Sequence, residues 1–106
     1  MARASVRPEV AADALARAHW RCERCATPAS IALGIRLEVH HALGRQPVEL
    51  VNEPENLVVL CKRLGRDPGC HDWWHANKRR ALEWFVEAFG EERLARLRAI
   101  QQPERV

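Results

Sequence analysis

Four cysteines constrain the fold of this chain more than any other feature of its sequence. Cys22 and Cys25 are separated by two residues, a spacing that places both thiolates on one metal ion, and Cys61 and Cys70 follow downstream. A chain of 106 residues buries a small core and often needs a cross-link. We therefore expect the four thiolates to hold one tetrahedral structural zinc ion that ties three segments together.

The second cysteine pair leaves alternatives open. Eight residues separate Cys61 from Cys70, whereas knuckle cysteines are usually separated by about two to four. Disulfides or free core thiols are the alternatives to zinc. His19 could also replace one of the thiolates as a zinc ligand. The sequence shows neither a membrane-length apolar run nor a secretory leader, so we expect a cytoplasmic protein, in which such cysteines bind zinc more often than they pair.

Two segments predict β-strands. Residues 36–40 alternate polar and apolar side chains, with Leu37 and Val39 directed toward the core. Residues 57–60 form a short apolar run, typical of a fully buried strand. The simplest pairing of the two is antiparallel. Residues 42–55, which include two prolines, are too irregular for either element and are expected to form a long functional loop.

Amphipathic patterns predict helices on both sides of the strands. The first is expected over residues 8–20, with a proline at its start. The second is expected to be capped by Asp67 and to continue through Phe89. Gly90 then separates it from a last helix over residues 91–100. The fold class is therefore expected to be α+β.

The chain is expected to form a single domain over residues 1–106. Within it we distinguish a basic arm at 1–7, a helix plus metal-binding core at 8–78, and a helical extension at 79–106. The last residues, from Pro103, are expected to be frayed.

Four of the five histidines fall in a pattern typical of a second metal site. His40 and His41 close the first strand, and His71 and His75 lie one turn apart on a helix. A strand end and a rigid helix thus present His40, His71 and His75 to one divalent ion. A structural role is the alternative for each histidine taken singly. Imidazole ligands favour manganese, nickel or zinc over magnesium, so we expect manganese or nickel to support activity at least as well as magnesium.

Positive charge is concentrated around these histidines, although the formal net charge is only +3. A phosphate-binding surface requires such a distribution, and a solvated face is the alternative. Arg45, four residues after His41, is a further candidate phosphate ligand. The basic residues near the downstream histidines are Lys62, Arg63, Arg66, Lys78, Arg79 and Arg80.

Four sequence segments together resemble the HNH endonuclease family. They are Trp-Arg-Cys-Glu-Arg-Cys at 20–25, Leu-Glu-Val-His-His at 37–41, Asn-Leu-Val-Val-Leu-Cys at 56–61 and Cys-His-Asp-Trp-Trp-His at 70–75. The resemblance covers roughly residues 17–78. It implies a ββα-metal core, in which a two-stranded antiparallel ribbon is followed by a metal-binding helix. An insertion at 64–69 departs from the family pattern and bears on the cysteine geometry.

The resemblance also implies roles in hydrolysing DNA phosphodiester bonds. His41 would be the general base, and Asn56 would orient it directly or through its loop. His40 and His71 would be metal ligands, with His75 a third, and the ion would be manganese, nickel or magnesium. The partners implied are DNA and, for targeting or double-strand cutting, another protein or a second copy of the chain. A phage or mobile element is a typical source of such a nuclease.

Two other functions and two structural alternatives remain open from sequence. The chain could be a zinc-stapled nucleic-acid-binding or assembly module without turnover, or a secreted toxin-type nuclease. Trp73, Trp74 and Trp84 are either core residues or stacking platforms for bases. The last helix, through its three large aliphatic residues, could form a dimer contact.

Overall fold

Over residues 5–65 and 68–102, the part of the chain described by the computed structural model, the protein is a two-stranded sheet surrounded by four α-helices. The predicted α+β class and the antiparallel pairing of the two strands are confirmed. The elements, in chain order, are α1 Pro8–Arg17, β1 Ile35–His41, β2 Leu57–Arg63, α2 Cys70–Ala76, α3 Lys78–Phe89 and α4 Glu91–Gln101.

Helix α1 starts as predicted and stops earlier than predicted. Pro8 occupies its first turn, where the missing N–H costs nothing, and Arg7 before it is extended. The expected end near Trp20 is wrong, because the helix ends at Arg17 and the backbone of His19 and Trp20 is left-handed, with φ of 57° and 56°. This reversal directs the chain into the Cys22–Cys25 knuckle.

Both strands are longer than the hydrophobic pattern predicts. Backbone pairing runs from Ile35 opposite Arg63 to His41 opposite Leu57. Cys61 therefore lies inside β2 and not after it. The alternation of side chains along β1 puts His40 on one face of the sheet and His41 on the other.

Helices cover both faces of the sheet, so β2 is buried on both sides. On one face Leu57 and Val59 pack against Ala14 of α1, together with the predicted core residues Leu37 and Val39. The other face packs on α2, α3 and α4 through a larger cluster, which includes Val58, Leu60, Trp74, Phe85 and Leu97. A strand buried on both faces reads as a continuous apolar run, as residues 57–60 do.

The prediction of one continuous helix through Phe89 is wrong. Asn77 leaves the helical conformation, with φ of −137° and ψ of 53°, and it separates α2 from α3. Its Nδ2 donates a hydrogen bond to the carbonyl of Trp73 at 3.1 Å, the local competition that makes asparagine a poor interior helix residue. The expected cap at Asp67 lies outside the described residues.

Gly69 explains how the insertion before Cys70 is accommodated. Its backbone is left-handed, with φ of +53°, and a Cβ there would stand 2.8 Å from the carbonyl oxygen of Cys61. Only glycine allows this approach without displacement. The start of α2 is thereby held against β2 close to Cys61.

Helix α4 uses its apolar face inside the chain. Leu97 is fully buried, and Leu94 and Ile100 are partly buried against the main core. The face considered for a dimer contact is thus largely covered by the protein itself. None of the helices in the described residues is both long and apolar enough to cross a membrane.

Candidate metal centres and active site

The structure brings the four cysteines together from three segments. Their sulfurs all lie within 4.8 Å of one another, and the Sγ atoms of Cys25 and Cys61 are 3.7 Å apart. All four are free thiols; Cys25 is exposed and the other three are buried. The four cysteines could therefore hold a metal ion such as zinc.

Hydrogen-bond donors surround the sulfurs. The backbone N–H of Cys70 donates to Cys61 Sγ at 3.3 Å, Arg24 Nη1 to Cys70 Sγ at 3.5 Å, and Arg63 Nη2 to Cys25 Sγ at 3.8 Å. Four thiolates around one divalent ion carry a net charge of about −2, which such donors offset. Sequence reasoning missed this role for the two arginines, because it depends on which side chains the knuckle meets.

The ionisation of the thiols also suits a metal site. A hydrogen bond from the Cys70 thiol lowers the pKa of Cys22 to about 4 and raises the pKa of Cys70. A thiolate is therefore present at neutral pH, and metal binding would displace the remaining protons.

His40, His71 and His75 converge into a second cluster. Their ligand nitrogens all lie within 4.8 Å of one another, and the Nε2 atoms of His71 and His75 are 3.2 Å apart. His40 reaches the cluster from β1, and the other two lie one turn apart on α2, as the i, i+4 spacing predicts. The three ligands predicted from sequence can thus share one ion.

His40 contributes an unusual feature to the cluster. Its side chain is buried between Trp74 and the other two histidines, and within the described residues its Nε2 has no hydrogen-bond partner. Burial, reinforced by the neighbouring His71 and His75, lowers the pKa of His40 to about 3. A buried, neutral imidazole nitrogen without a partner is the donor a transition metal requires.

The lowered pKa of His40 predicts a pH-dependent stability in the absence of added divalent metal. Below its ordinary pKa of 6.5, the unfolded chain takes up a proton at this residue that the folded chain does not. Folding stability contributed by neutral His40 should therefore fall by about 1.4 kcal/mol per pH unit as the pH drops from about 6 to about 4. In urea unfolding, the stability of the wild type relative to His40→Gln should decline at that slope.

The cysteine site is also sensitive to acid, but both proteins contain it, so its contribution cancels in the difference between their free energies of unfolding. His19→Gln, at an exposed position, controls for the loss of a histidine as such. Parallel stability curves for the wild type and His40→Gln would contradict the assignment.

Glu38 fixes the orientation of His71. The Nδ1–H of His71 donates to Glu38 Oε1 at 2.7 Å, which leaves the Nε2 lone pair directed into the cluster. Glu38 lies two residues before His40 and on the same face of β1, so both face α2. Sequence reasoning missed this residue; its i, i+2 position on a predicted strand was the available signal.

Removing this carboxylate should weaken metal binding. Glu38→Ala is expected to lower the affinity of the histidine cluster for Ni²⁺ by about tenfold to a hundredfold, since ligand orientation is lost. Glu38→Gln, which keeps an acceptor oxygen, should lose less. Calorimetric titration with Ni²⁺ measures both, with Glu87→Ala on the exposed face of α3 as control. An unchanged affinity in Glu38→Ala would argue against the role.

His41 lies beside the cluster and is held through both ring nitrogens. Its Nε2 donates to the carbonyl oxygen of Val51 at 2.9 Å, and its Nδ1 accepts a bond from Arg45 Nε at 3.3 Å. The bond to a carbonyl requires a proton on Nε2, so the Nδ1 lone pair is the basic position. The ring is buried, and it borders both clefts at the site.

Asn56 acts on the loop that holds His41. Its Oδ1 accepts from the N–H of Leu43, and its Nδ2 donates to the carbonyls of Gly44 and Leu50 at 2.9 and 3.0 Å. The amide is fully buried. These contacts are the kind that the second mode expected for Asn56 requires, in which it would position His41 through the loop.

Arginines from both ends of the chain hold the turn that carries Asn56. Arg93 of α4 donates to the carbonyls of Glu55 and Leu57, and Arg17 of α1 donates to the same Leu57 carbonyl at 2.7 Å. Arg96 forms a bidentate pair with the Glu55 carboxylate, at 2.8 and 2.6 Å. The outer helices thus stabilise the loop beside the histidines.

Two clefts flank the histidine cluster. One, of about 230 Å³, is bordered by Arg45 and His71. The other, of about 320 Å³, is bordered by Leu43, Trp74, Leu82 and Lys78. Both clefts are bordered by His40, His41 and His75, so a ligand on the cluster could extend into either.

The remaining basic residues considered for nucleic-acid binding are distributed differently. Lys62 pairs with Asp72 at 2.9 Å, and Arg63 donates to the cysteine knuckle. Arg79 and Arg80 are exposed on α3, where Arg79 lies 3.6 Å from Glu83. Among the candidates in the described residues, Arg45 and Lys78 border the two clefts at the histidine cluster. Arg66 lies outside the described residues.

The three tryptophans considered for base stacking contribute to the core. Trp74 is buried, and Trp73 and Trp84 are partly buried against the same cluster. The guanidinium of Arg24 lies 3.5 Å over the Trp73 ring. Trp20, which is 58% exposed, is the tryptophan open to solvent.

Comparison of the chain with models of known protein families, with curated proteins and with solved structures finds no match in any of the three.

Proposed function

We propose that this protein is a metal-dependent endonuclease that hydrolyses DNA phosphodiester bonds and belongs to the HNH type. The observation that carries the proposal is the juxtaposition at the end of β1. A cluster of three histidines, one with a buried nitrogen that has no partner within residues 5–65 and 68–102, lies next to His41, whose proton position is set by the Val51 carbonyl. A metal ligand set beside an oriented base is what phosphodiester hydrolysis requires.

The histidine cluster fits a divalent ion. His40 is buried and neutral, and Glu38 holds His71 with its Nε2 toward the cluster. A divalent ion bound there would act as a Lewis acid on the phosphate and favour departure of the 3′ oxygen. The all-imidazole set supports manganese or nickel more strongly than magnesium.

His41 is the general base of the proposed reaction. Its Nδ1 accepts the proton of the attacking water, while the Nε2–H bond to Val51 stabilises the imidazolium that forms. Arg45 Nε donates a long hydrogen bond of 3.3 Å to His41 Nδ1, and a substrate phosphate would attract the guanidinium away from it. Asn56 keeps the loop, and with it the Val51 carbonyl, in place.

Arg45 and Lys78 provide positive charge on the two sides of the cluster. They suit a phosphate backbone, which contributes affinity without sequence information. We expect low intrinsic sequence specificity, with targeting by a protein partner or a second copy. Reduced cysteines in a structural zinc site are consistent with an intracellular enzyme.

Cleavage of supercoiled plasmid by the purified protein tests the proposal. We expect nicked or linear product with Mn²⁺ or Ni²⁺ at a rate at least equal to that with Mg²⁺, and none with EDTA. Full activity with Mg²⁺ and none with Mn²⁺ would contradict the assignment of the metal. If the protein binds DNA but does not cleave it with any metal, a zinc-stapled binding module would replace the nuclease as the proposed function.

A further inference from the structure

The cleft of about 320 Å³ beside the histidines is chemically unlike its neighbour. Besides the three histidines that both clefts share, it is lined by Ala42, Leu43, Gly44, Trp74, Lys78 and Leu82. The cleft on the other side carries Arg45 and His71. Apart from the shared histidines, one side of the cluster is therefore lined by apolar groups and one cation, whereas the other side is more polar.

A nucleotide likewise combines a charged part with an apolar part. Its phosphate is anionic, whereas the faces of its base and much of its sugar are apolar. Resting on the proposed nuclease function, we propose that the apolar cleft is a subsite for the sugar and base of one unpaired nucleotide next to the scissile phosphate. Lys78 lies where it can contact that nucleotide's phosphate.

The size of the cleft limits what can enter. About 320 Å³ is at the lower end of the range of roughly 300–1,000 Å³ that small-molecule pockets occupy. This is room for a single nucleoside. A base that occupies this cleft cannot at the same time be paired and stacked in a duplex. The favoured substrate is therefore single-stranded, gapped or frayed DNA.

The lining also predicts weak discrimination among bases. Within the described chain, no carboxylate, carboxamide or guanidinium side chain borders this cleft, so most of the side chains that read the edge of a base are missing, and Lys78 is assigned to the phosphate. Apolar contact accepts every base, because each has the same kind of face.

Binding of small nucleotides to the purified protein tests the subsite apart from catalysis. Thymidine 5′-monophosphate is compared with 2-deoxyribose 5-phosphate, which lacks the base, and with inorganic phosphate. We expect the nucleotide to bind about tenfold more tightly than the sugar phosphate, with shifts of the Leu43 and Leu82 methyl resonances in NMR spectra. The other three deoxynucleoside monophosphates should bind within about threefold of it.

Two variants at one position test the location. Leu82→Trp fills the cleft and Leu82→Ala removes part of its wall. Both should lower the affinity for thymidine 5′-monophosphate to about that for 2-deoxyribose 5-phosphate, and neither should change the binding of inorganic phosphate. Val86→Trp, one turn further along α3, alters the neighbouring groove, which Leu82 also borders, but not the cleft beside the histidines; it is the matched control and should keep the preference for the nucleotide.

The outcomes separate the two proposals. Equal affinity for the nucleotide and the sugar phosphate overturns the subsite, even if the protein cleaves plasmid. Faster cleavage of a duplex than of the same single strand also overturns it. In a further outcome, the protein binds the nucleotide more tightly than the sugar phosphate, in a way that depends on Leu82, and yet cleaves no DNA with any metal. That result supports the subsite and overturns the nuclease.

Discussion

Replacing His41 with glutamine should reduce DNA cleavage by a factor of roughly one hundred to ten thousand, the contribution typical of a general base. Glutamine can still donate to the Val51 carbonyl, to which the His41 Nε2 now donates at 2.9 Å. It has no nitrogen that can accept a proton from water at neutral pH. The first-order rate of plasmid nicking at saturating Mn²⁺ measures the loss.

Two comparisons make this result specific. The variant should retain the thermal unfolding midpoint of the wild type, because the buried hydrogen bond is kept, and it should bind Ni²⁺ with unchanged affinity. His19→Gln carries the same substitution at an exposed position and should cleave at the wild-type rate. A His41→Gln protein that cleaves normally would remove His41 from the mechanism.

The largest effect on stability is expected at the cysteine site. Cys22→Ser should lose the structural metal and unfold at a temperature far below that of the wild type, or fail to fold. Structural zinc contributes about 10–16 kcal/mol in small zinc domains, as much as the whole stability of a typical protein. Here the site joins the knuckle to β2 and α2. Elemental analysis and far-ultraviolet circular dichroism on heating measure the two losses.

The second metal cluster provides the control for this prediction. His71→Ala should lose Ni²⁺ binding but keep one zinc per chain and most of its stability, since His71 is not part of the cysteine site. Treatment with a chelator should destabilise the wild type, whereas a reductant should not. Destabilisation by reductant alone would indicate disulfides in place of a metal, and Cys22→Ser with wild-type zinc and midpoint would exclude Cys22 as a ligand.

The amino-acid sequence by itself determined the features that depend on local spacing. Helical periodicity places His71 and His75 on one face of α2, and the two-residue gap brings Cys22 and Cys25 together, whatever surrounds them. The apolar run at 57–60 predicts a buried strand, because it too is a local feature of the sequence. The helix boundaries were predicted less well, because Asn77 breaks a pattern that hydrophobic periodicity continues across.

The tertiary structure alone decided which distant groups meet. Glu38 and His71 are 33 residues apart, and their contact depends on strand register and on where α2 packs. Arg63, considered for phosphate binding, instead donates to Cys25. The contacts of the Asn56 amide with the loop, and the burial of His40, whose Nε2 has no partner among the described residues, likewise follow from packing. Spacing along the chain determines which side chains share one face of a helix or strand. Which side chains of other elements they contact depends on how the helices and the sheet pack around the core.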